Sequence, residues 1–435
     1  MSIESIYNKF ISSSGVTTDT RSILGNEIFF ALKGEHFDGN NFVEDALARG
    51  CSWAVADRSS MEGRDRLIVV KDALETLQQL SAYHRKQWGG KVLAITGSNG
   101  KTTTKELLHA VLSKKYRVLA TAGNLNNHIG VPLTLLKIKD EQLAIIEMGA
   151  NHRGEIALLC GIASPDMGII TNIGKAHLEG FGGLAGVRRG KGELYDYLAS
   201  HHGTVIADLS DPVLSSMVRE RQLNVFSYGQ GTGFDVDGHM LRSGDRIQGT
   251  FTHENNEVPV RSGLFGAYNF KNLLAAAAAG IYMKVPPEAI ADALELYAPR
   301  NNRSQIIKGT TNTLILDAYN ANPSSMHLAL DEFVQRVHPN KIAILGDMFE
   351  LGRDEHKEHE ALLKRLAKSN INVVMLVGER FSKFKGNPAF PFHFFNTLEQ
   401  CLEFLENEPP GNALIMLKGS RKNALEDATN LLLDC

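Results

Sequence analysis

Short apolar runs alternate with longer amphipathic stretches along this chain, and the alternation changes character three times. In the first part, residues 27–32 (EIFFAL), 53–56 and 67–70 are predicted strands, and 42–49 and 74–87 predicted helices. From residue 91 the pattern becomes regular: 92–96, 118–121, 143–148 and 167–171 are short apolar strands, separated by helices such as 103–112 and 155–162. Apolar strands divided by helices predict a doubly wound, mostly parallel sheet. Residues 234–260 break into short runs punctuated by Gly, Asp, Asn and Ser, the pattern of an antiparallel meander. Helix resumes over 268–282, where the run AAAAAG suits close helix packing. After an interruption at 299–303 come strands at 313–316, 342–345, 373–377 and 414–417. Helices are predicted with them at 325–336, 355–367, 398–405 and 425–433. The expectation is an α/β protein of three domains: a small αβ unit at 1–88, a doubly wound sheet with an antiparallel section at 89–303, and a third α/β set at 304–435.

Length supports that division, since 435 residues is too long for one core and roughly 150 residues make a domain. A hydrophobic content of 43% with 22% charged residues is that of a soluble globular protein. A net charge of −3 provides no global field, so no nucleic-acid or anionic-membrane partner is expected and an anionic ligand must be held by local groups. Cys51, Cys160, Cys401 and Cys435 show no CxxC spacing, which argues against a zinc site or disulfide framework and fits a reducing compartment. The opening MSIESIYNKF lacks the basic-then-apolar build of a secretory leader, and no apolar run approaches about 18 residues. A cytoplasmic, monomeric protein acting on small molecules, without membrane insertion, is expected.

The chemistry concentrates first in residues 91–105, KVLAITGSNGKTTTK. An apolar strand breaks at glycines and restarts as a helix, which presents bare N–H groups and a positive helix end to an anion. Lys101 adds charge for the outer phosphates of a nucleoside triphosphate, and the hydroxyl of Thr102 can ligate Mg²⁺. The spacing is shorter than GxxxxGK[ST], which would need glycine where Ile95 stands; the loop is Gly97-Ser98-Asn99-Gly100-Lys101-Thr102. Four more segments fall at strand ends, where open α/β sheets bind ligands. Glu147 ends an apolar strand near the loop, where a carboxylate can hold Mg²⁺ directly or through water. His177 lies in a loop after 167–171, and Lys191 begins a helix; alone, such residues are usually solvated. Arg303, at the break between the second and third units, can reach a phosphate from the opposite side. Asp317 ends another apolar strand, and Asn322-Pro323 reads as a helix entry with Pro at its first position.

TGSNGKTTTK, GNLNNHIGVP, EMGANHRGEI, TNIGKAHLEGFG, KGELYD, GAYNFKN, NNRSQ, DAYNANPSSM, LGDMFELG and LKGSR together resemble the Mur ligase family of peptidoglycan synthesis, over nearly the whole chain. The family's loop is the shorter GxxGK[ST]. Within it, EMGAN, DAYNANPSSM and LGDMFELG resemble the ligases that add D-alanyl-D-alanine to UDP-N-acetylmuramoyl-tripeptide. The resemblance implies a UDP-sugar-binding N-terminal domain, a central ATP-binding domain and a Rossmann-like C-terminal domain for the incoming dipeptide. It implies that Gly97 to Thr103 wrap the ATP phosphates, with Lys101 on the outer ones and Thr102 on Mg²⁺. Glu147 and His177 would belong to the metal and γ-phosphate region. Lys191 matches a carbamylated lysine (N6-carboxylysine), whose added carboxylate would bind a second Mg²⁺. Asn269 matches an adenine contact, Arg303 a phosphate contact and Asp317 a ribose contact. Asn320 and Asn322 would lie near the dipeptide, Asn126 and Asn127 near the amino-sugar peptide, and Thr20, Arg21, Lys33, Gly34, Glu35 and His36 near the uridine diphosphate.

The implied reaction is amide formation through an acyl phosphate, with no covalent enzyme nucleophile and with hinge closure near 88–90 and 299–306. One alternative is a related ligase that adds a single amino acid, or glutamate to folate; no Asp-Asn-Pro-Arg string, which marks the ligase adding a diamino acid, is present. Another is a nucleotide-switched binding protein, against which there is no Asn-Lys-x-Asp guanine signature.

Overall fold

The computed structural model describes residues 1–244, 246–299 and 302–433; Arg300, Asn301 and Cys435 of the sequence reading lie outside the described residues. Three sheets follow one another along the chain. The first has four parallel strands, Gly15–Thr17, Glu27–Phe30, Trp53–Ala56 and Leu67–Val69, in sequence order. The second has nine strands and is parallel from Val118–Ala120 at one edge across to Val236–Arg242. Beyond that it ends in the antiparallel strands Ile247–His253 and Asn256–Ser262, the meander expected there. The third has six strands, parallel except for Gln305–Lys308, which pairs antiparallel with Thr313–Asp317.

Strand order in the central sheet positions the site. Lys91–Thr96 pairs on one side with Leu143–Glu147 and on the other with Met167–Ile170. The chain therefore leaves Lys91–Thr96 in one direction, returns beside it, and then crosses to its other flank. Such a reversal opens a crevice at the carboxyl ends of the strands. These strands are buried on both faces, which is why they read as unbroken apolar runs. The alanines of Asn269–Tyr282 do pack a helix closely: a Cβ on Gly280 would fall 2.6 Å from Val111 Cγ1 on the helix Lys101–Leu112. That contact seats the helix following the crevice.

Two expectations are corrected. Lys191 does not begin a helix; it lies in the middle of Leu184–Ser200, a helix that starts from Gly183 and continues through the glycines Gly186, Gly190 and Gly192. The predicted helix 425–433 is a 3-10 turn, Leu425–Ala428, followed by a short helix, Thr429–Leu433. The opening helix Ile3–Ile11 was missed although its signal was present, with Ser2 capping Ser5 N and Ile6 and Phe10 on the buried face.

Two seams join the units. Arg85, buried on the helix Ala73–Gln87, donates to the carbonyls of Ala163 (3.0 Å) and Ser164 (3.1 Å), which end the helix Glu155–Ala163, and to Asp166 (2.9 Å). It also donates to Trp88 O and Gly90 O, spanning the linker itself. The second seam closes the C-terminal unit on the central one. Asn322 Nδ2 donates to Asn99 Oδ1 (2.7 Å), Lys175 N to Ser324 Oγ (2.9 Å), and Lys175 Nζ pairs with Glu358 (2.6 Å). His177 Nδ1 lies against the Glu350 carboxylate.

Replacing Arg85 by Met should cost about 3 kcal/mol, because several buried carbonyls lose a charged donor; a urea midpoint within error of wild type would contradict this. The His177 contact, foremost, holds the Glu350 carboxyl below the usual carboxylate range. That tie is complete above the ordinary carboxylate range and is lost as pH falls through the lowered folded value. Small-angle scattering should find Glu350→Gln expanded at neutral pH to the radius that wild type reaches only in acid. An unexpanded variant would exclude the tie from holding the domains together.

Candidate functional site

The phosphate loop is held by groups on the neighbouring strand end. Thr171 Oγ1 donates to Asn99 O (2.6 Å), Asn172 Nδ2 to the same carbonyl (3.0 Å), and Asn99 N to Asn172 Oδ1 (3.0 Å). Ser98 N donates to Asn172 O (3.1 Å), and Ser98 Oγ exchanges bonds with Gly174. Gly97 stands at φ +145°, and a Cβ there would sit 1.9 Å from Thr171 Oγ1, so only glycine fits. The loop then delivers Lys101 at the first turn of its helix, with Nζ donating to Gly97 O (2.6 Å). Desolvation pushes the Lys101 pKa down; Glu147 opposes this and Arg303 reinforces it.

Glu147 ends its strand beside the loop, as expected, and is 2% exposed. Its Oε2 accepts from Thr102 Oγ1 (3.0 Å) and its Oε1 from Asn126 Nδ2 (2.9 Å), while Lys105 Nζ lies 3.8 Å away. Lys191 is fully buried, its Nζ donating to Ala150 O (3.1 Å) and lying 5.2 Å over the Phe181 ring. Burial, then the charge on Lys101, pushes its pKa well down. His177, at φ +52° before the short helix Leu178–Phe181, stands at the wall where the C-terminal unit docks.

From that unit, the strands Thr313–Asp317 and Leu414–Lys418 bring their carboxyl ends to the same place. Asp317 Oδ2 accepts from Lys418 Nζ (2.5 Å). The Arg303 guanidinium lies 3.7 Å over the Tyr319 ring, and its buried Nε has no hydrogen-bond partner among the described residues. Asn302 and Ser304 both have left-handed backbone (φ +50° and +51°), a strain that marks the break expected at this point.

One cavity of about 1040 Å³ connects these groups. Its walls include Ser98 to Thr103, Asn126, Asn127, Glu147 and His177 from the central unit. Asn269, Arg303, Asp317, Asn320 and Asn322 line it as well. Gly97 and Lys191 lie behind the wall. Four expected ligand contacts have partners within the protein. Asn126 gives its amide to Glu147, and Asn127 Oδ1 accepts from Ile129 N and Gly130 N at a helix start. Asn322 caps the helix Pro323–Gln335 in a capping box with Ser325 while bridging to Asn99. Asn269 is buried, donating to Phe265 O and Ser304 Oγ and accepting from Asn272. Thr20, Arg21 and Lys33 to His36 do not reach the cavity. They follow the carboxyl ends of the N-terminal sheet, where Arg21 pairs with Asp19 and Lys33 with Asp57. Sequence reasoning missed Thr171, Asn172, Lys105, Tyr319, Glu350 and Lys418, although the strings TNIGK, DAYN, LGDMFELG and LKGSR contain all but Lys105.

A loop built for phosphates, a shielded carboxylate beside it and a second sheet closing over both make a site for phosphoryl transfer to a bound acid. The comparisons agree. Residues 95–280 match the model of the Mur ligase middle domain, 302–421 that of the Mur ligase glutamate ligase domain, and 12–85 that of the Mur ligase family catalytic domain. The UDP-N-acetylmuramoyl-tripeptide–D-alanyl-D-alanine ligase of Bacillus subtilis is 35% identical over 97% of this chain and 93% of its own. The crystal structure of MurF from Acinetobacter baumannii matches with a TM-score of 0.86 and 33% identity, covering 96% of this chain and 93% of its own. MurF ligase from Thermotoga maritima, in complex with ADP, matches with a TM-score of 0.85 and 25% identity, over 97% of each chain. With its loop, its three-sheet architecture and these relatives in accord, the chain belongs to the Mur ligase family.

Proposed function

We infer that this chain joins D-alanyl-D-alanine to UDP-N-acetylmuramoyl-tripeptide at the expense of ATP, making the pentapeptide precursor of peptidoglycan. One observation carries the reading: a single cavity walled on one side by the phosphate loop and on the other by the carboxyl ends of the third sheet. Relatives that bear this activity in their names align along nearly the full chain.

The tripeptide carboxylate takes the γ-phosphoryl group of ATP, giving ADP and an acyl phosphate. The dipeptide amine then attacks the acyl carbon, phosphate leaves, and the amine surrenders a proton. The amides at the helix start, from Gly100 to Thr103, and the Lys101 ammonium hold the phosphates, and Arg303 meets the transferring group from across the cavity. Asp317, anchored by Lys418, faces the ribose. Residues 1–88 hold the UDP-sugar, 89–303 the ATP and 304–435 the dipeptide, with closure about 88–90 and 299–306 excluding water.

The donors fit Mg²⁺: Thr102 and Glu147 offer oxygens beside the loop, while no cluster of three unmodified His, Cys, Asp or Glu side chains stands among the described residues. Mg²⁺ would supply neutralisation of charge on the phosphate oxygens. Lys191 suits carbamylation, since an amine kept neutral by burial adds to carbon dioxide, releasing a proton and leaving an anionic oxygen ligand.

Phosphate release measured with each substrate omitted tests the reaction; turnover without the tripeptide or without the dipeptide would defeat it. Lys101→Ala should lower kcat by roughly a thousandfold with an unchanged circular dichroism spectrum, as a lost phosphate contact would. Lys191→Ala should be severely impaired and partly restored by acetate, which can occupy the carbamate position. Acetate without effect would remove that role from Lys191.

A further inference from the structure

The strand Leu414–Lys418 lies between Thr313–Asp317 and Lys341–Gly346, so the turn after it stands at the centre of the carboxyl edge of the third sheet. That turn, Arg421–Asn423, is rigidly seated. Ser420 and Asn423 form a capping box, with Ser420 N donating to Asn423 Oδ1 (3.1 Å) and Asn423 N to Ser420 O (2.8 Å). Behind it, a Cβ on Gly346 would fall 2.7 Å from Asn423 Cγ, so strand and turn are in close contact.

Most cations near this edge are already matched. Lys418 is held by Asp317, Arg380 by Glu355, and Lys422 lies 5.1 Å over Phe349 with its charge acting on Glu350. Arg421 differs. It is exposed, and among the described residues its side chain has neither hydrogen bond nor ion pair. Its guanidinium lies 5.8 Å over the ring of Tyr319, the ring that also carries Arg303 at 3.7 Å. Tyr319 and Arg303 line the cavity, and Arg421 reaches that wall only through the Tyr319 ring. Two guanidinium groups thus share one aromatic ring, and the charge of one of them, Arg303, acts on Lys101 of the phosphate loop.

The reaction brings two anionic groups to this wall, the phosphoryl group in transfer and the carboxylate of the dipeptide. An extended dipeptide spans about 7 Å, which suits a ligand whose amine lies near the Arg303 side of the ring and whose acid lies on the far side. A guanidinium fork matches a carboxylate in a bidentate manner that an ammonium cannot reproduce. We propose that Arg421 receives the terminal carboxylate of the incoming dipeptide and so sets the enzyme's requirement for a free acid there. This rests on the ligase reading above.

The test compares kcat/KM for D-alanyl-D-alanine with that for its C-terminal amide, in wild type, Arg421→Ala and Arg421→Lys. Wild type should prefer the acid by roughly 100-fold, as for loss of a charge-assisted hydrogen-bonded pair. In Arg421→Ala the preference should collapse to a few-fold while the KM for ATP is unchanged, and Arg421→Lys should recover part of it. Arg421→Gln, close in size, should repeat the collapse should the alanine variant fail to fold. A variant that loses activity on both dipeptides alike and keeps the full preference for the acid would overturn the proposal, as would a wild type indifferent to the amide. A wild type that ligates neither dipeptide would instead remove the ligase reading, and this assignment with it.

Discussion

The hydrogen bonds from Thr171 and Asn172 to the backbone of Asn99 are the constraint on which the site depends. They exist because Thr96 pairs with Ile170 in the central sheet, which puts the residues after that strand directly under the phosphate loop. The loop is thereby fixed before any anion arrives, and its ordering is a cost met in folding rather than in binding. The same proximity excludes a side chain at Gly97, so register, glycine and loop shape are a single requirement.

From that fixed loop the polar groups are shared outward in order. Thr102 serves Glu147 and Asn126 serves its other oxygen, so the buried carboxylate has both oxygens occupied in a place where an unpaired one would be expensive. Asn99 carries the arrangement across the domain seam to Asn322, itself the cap of a helix in the third unit. Several asparagines that line the cavity are thus also tied into the framework around it.

The contacts between the units follow a similar logic. The third unit meets the central one through side chains near the phosphate loop, at Asn99, Lys175 and His177, and through one buried apolar cluster that holds Leu178, Phe181 and Phe265 together with Phe333, Met348 and Leu351. Polar contacts between domains part and reform more readily than a large apolar face does. Beside the seam, Asn302 and Ser304 hold left-handed backbone. The N-terminal unit is tied through buried Arg85, which caps a helix of the central domain, through Trp88 Nε1 donating to Glu141 O, and through Leu136 packed in one apolar cluster with Ile6, Leu77 and Leu80.

The sequence by itself determined the element types, the three successive α/β units, the phosphate loop and the acid at the end of its neighbouring strand. Those features depend on local periodicity, on glycine backbone and on apolar strands buried from both sides, all of which are written along the chain. Only the tertiary structure decided that Lys191 sits mid-helix and wholly buried, because the helix begins in a glycine-rich stretch that no cap announces. It alone decided which partners Asn126, Asn127 and Asn322 have within the protein, that Lys418 holds Asp317, and that Arg303 and Arg421 share the ring of Tyr319. The partners of a polar side chain are set by strands and helices far away in sequence, and no local pattern encodes which of them will arrive.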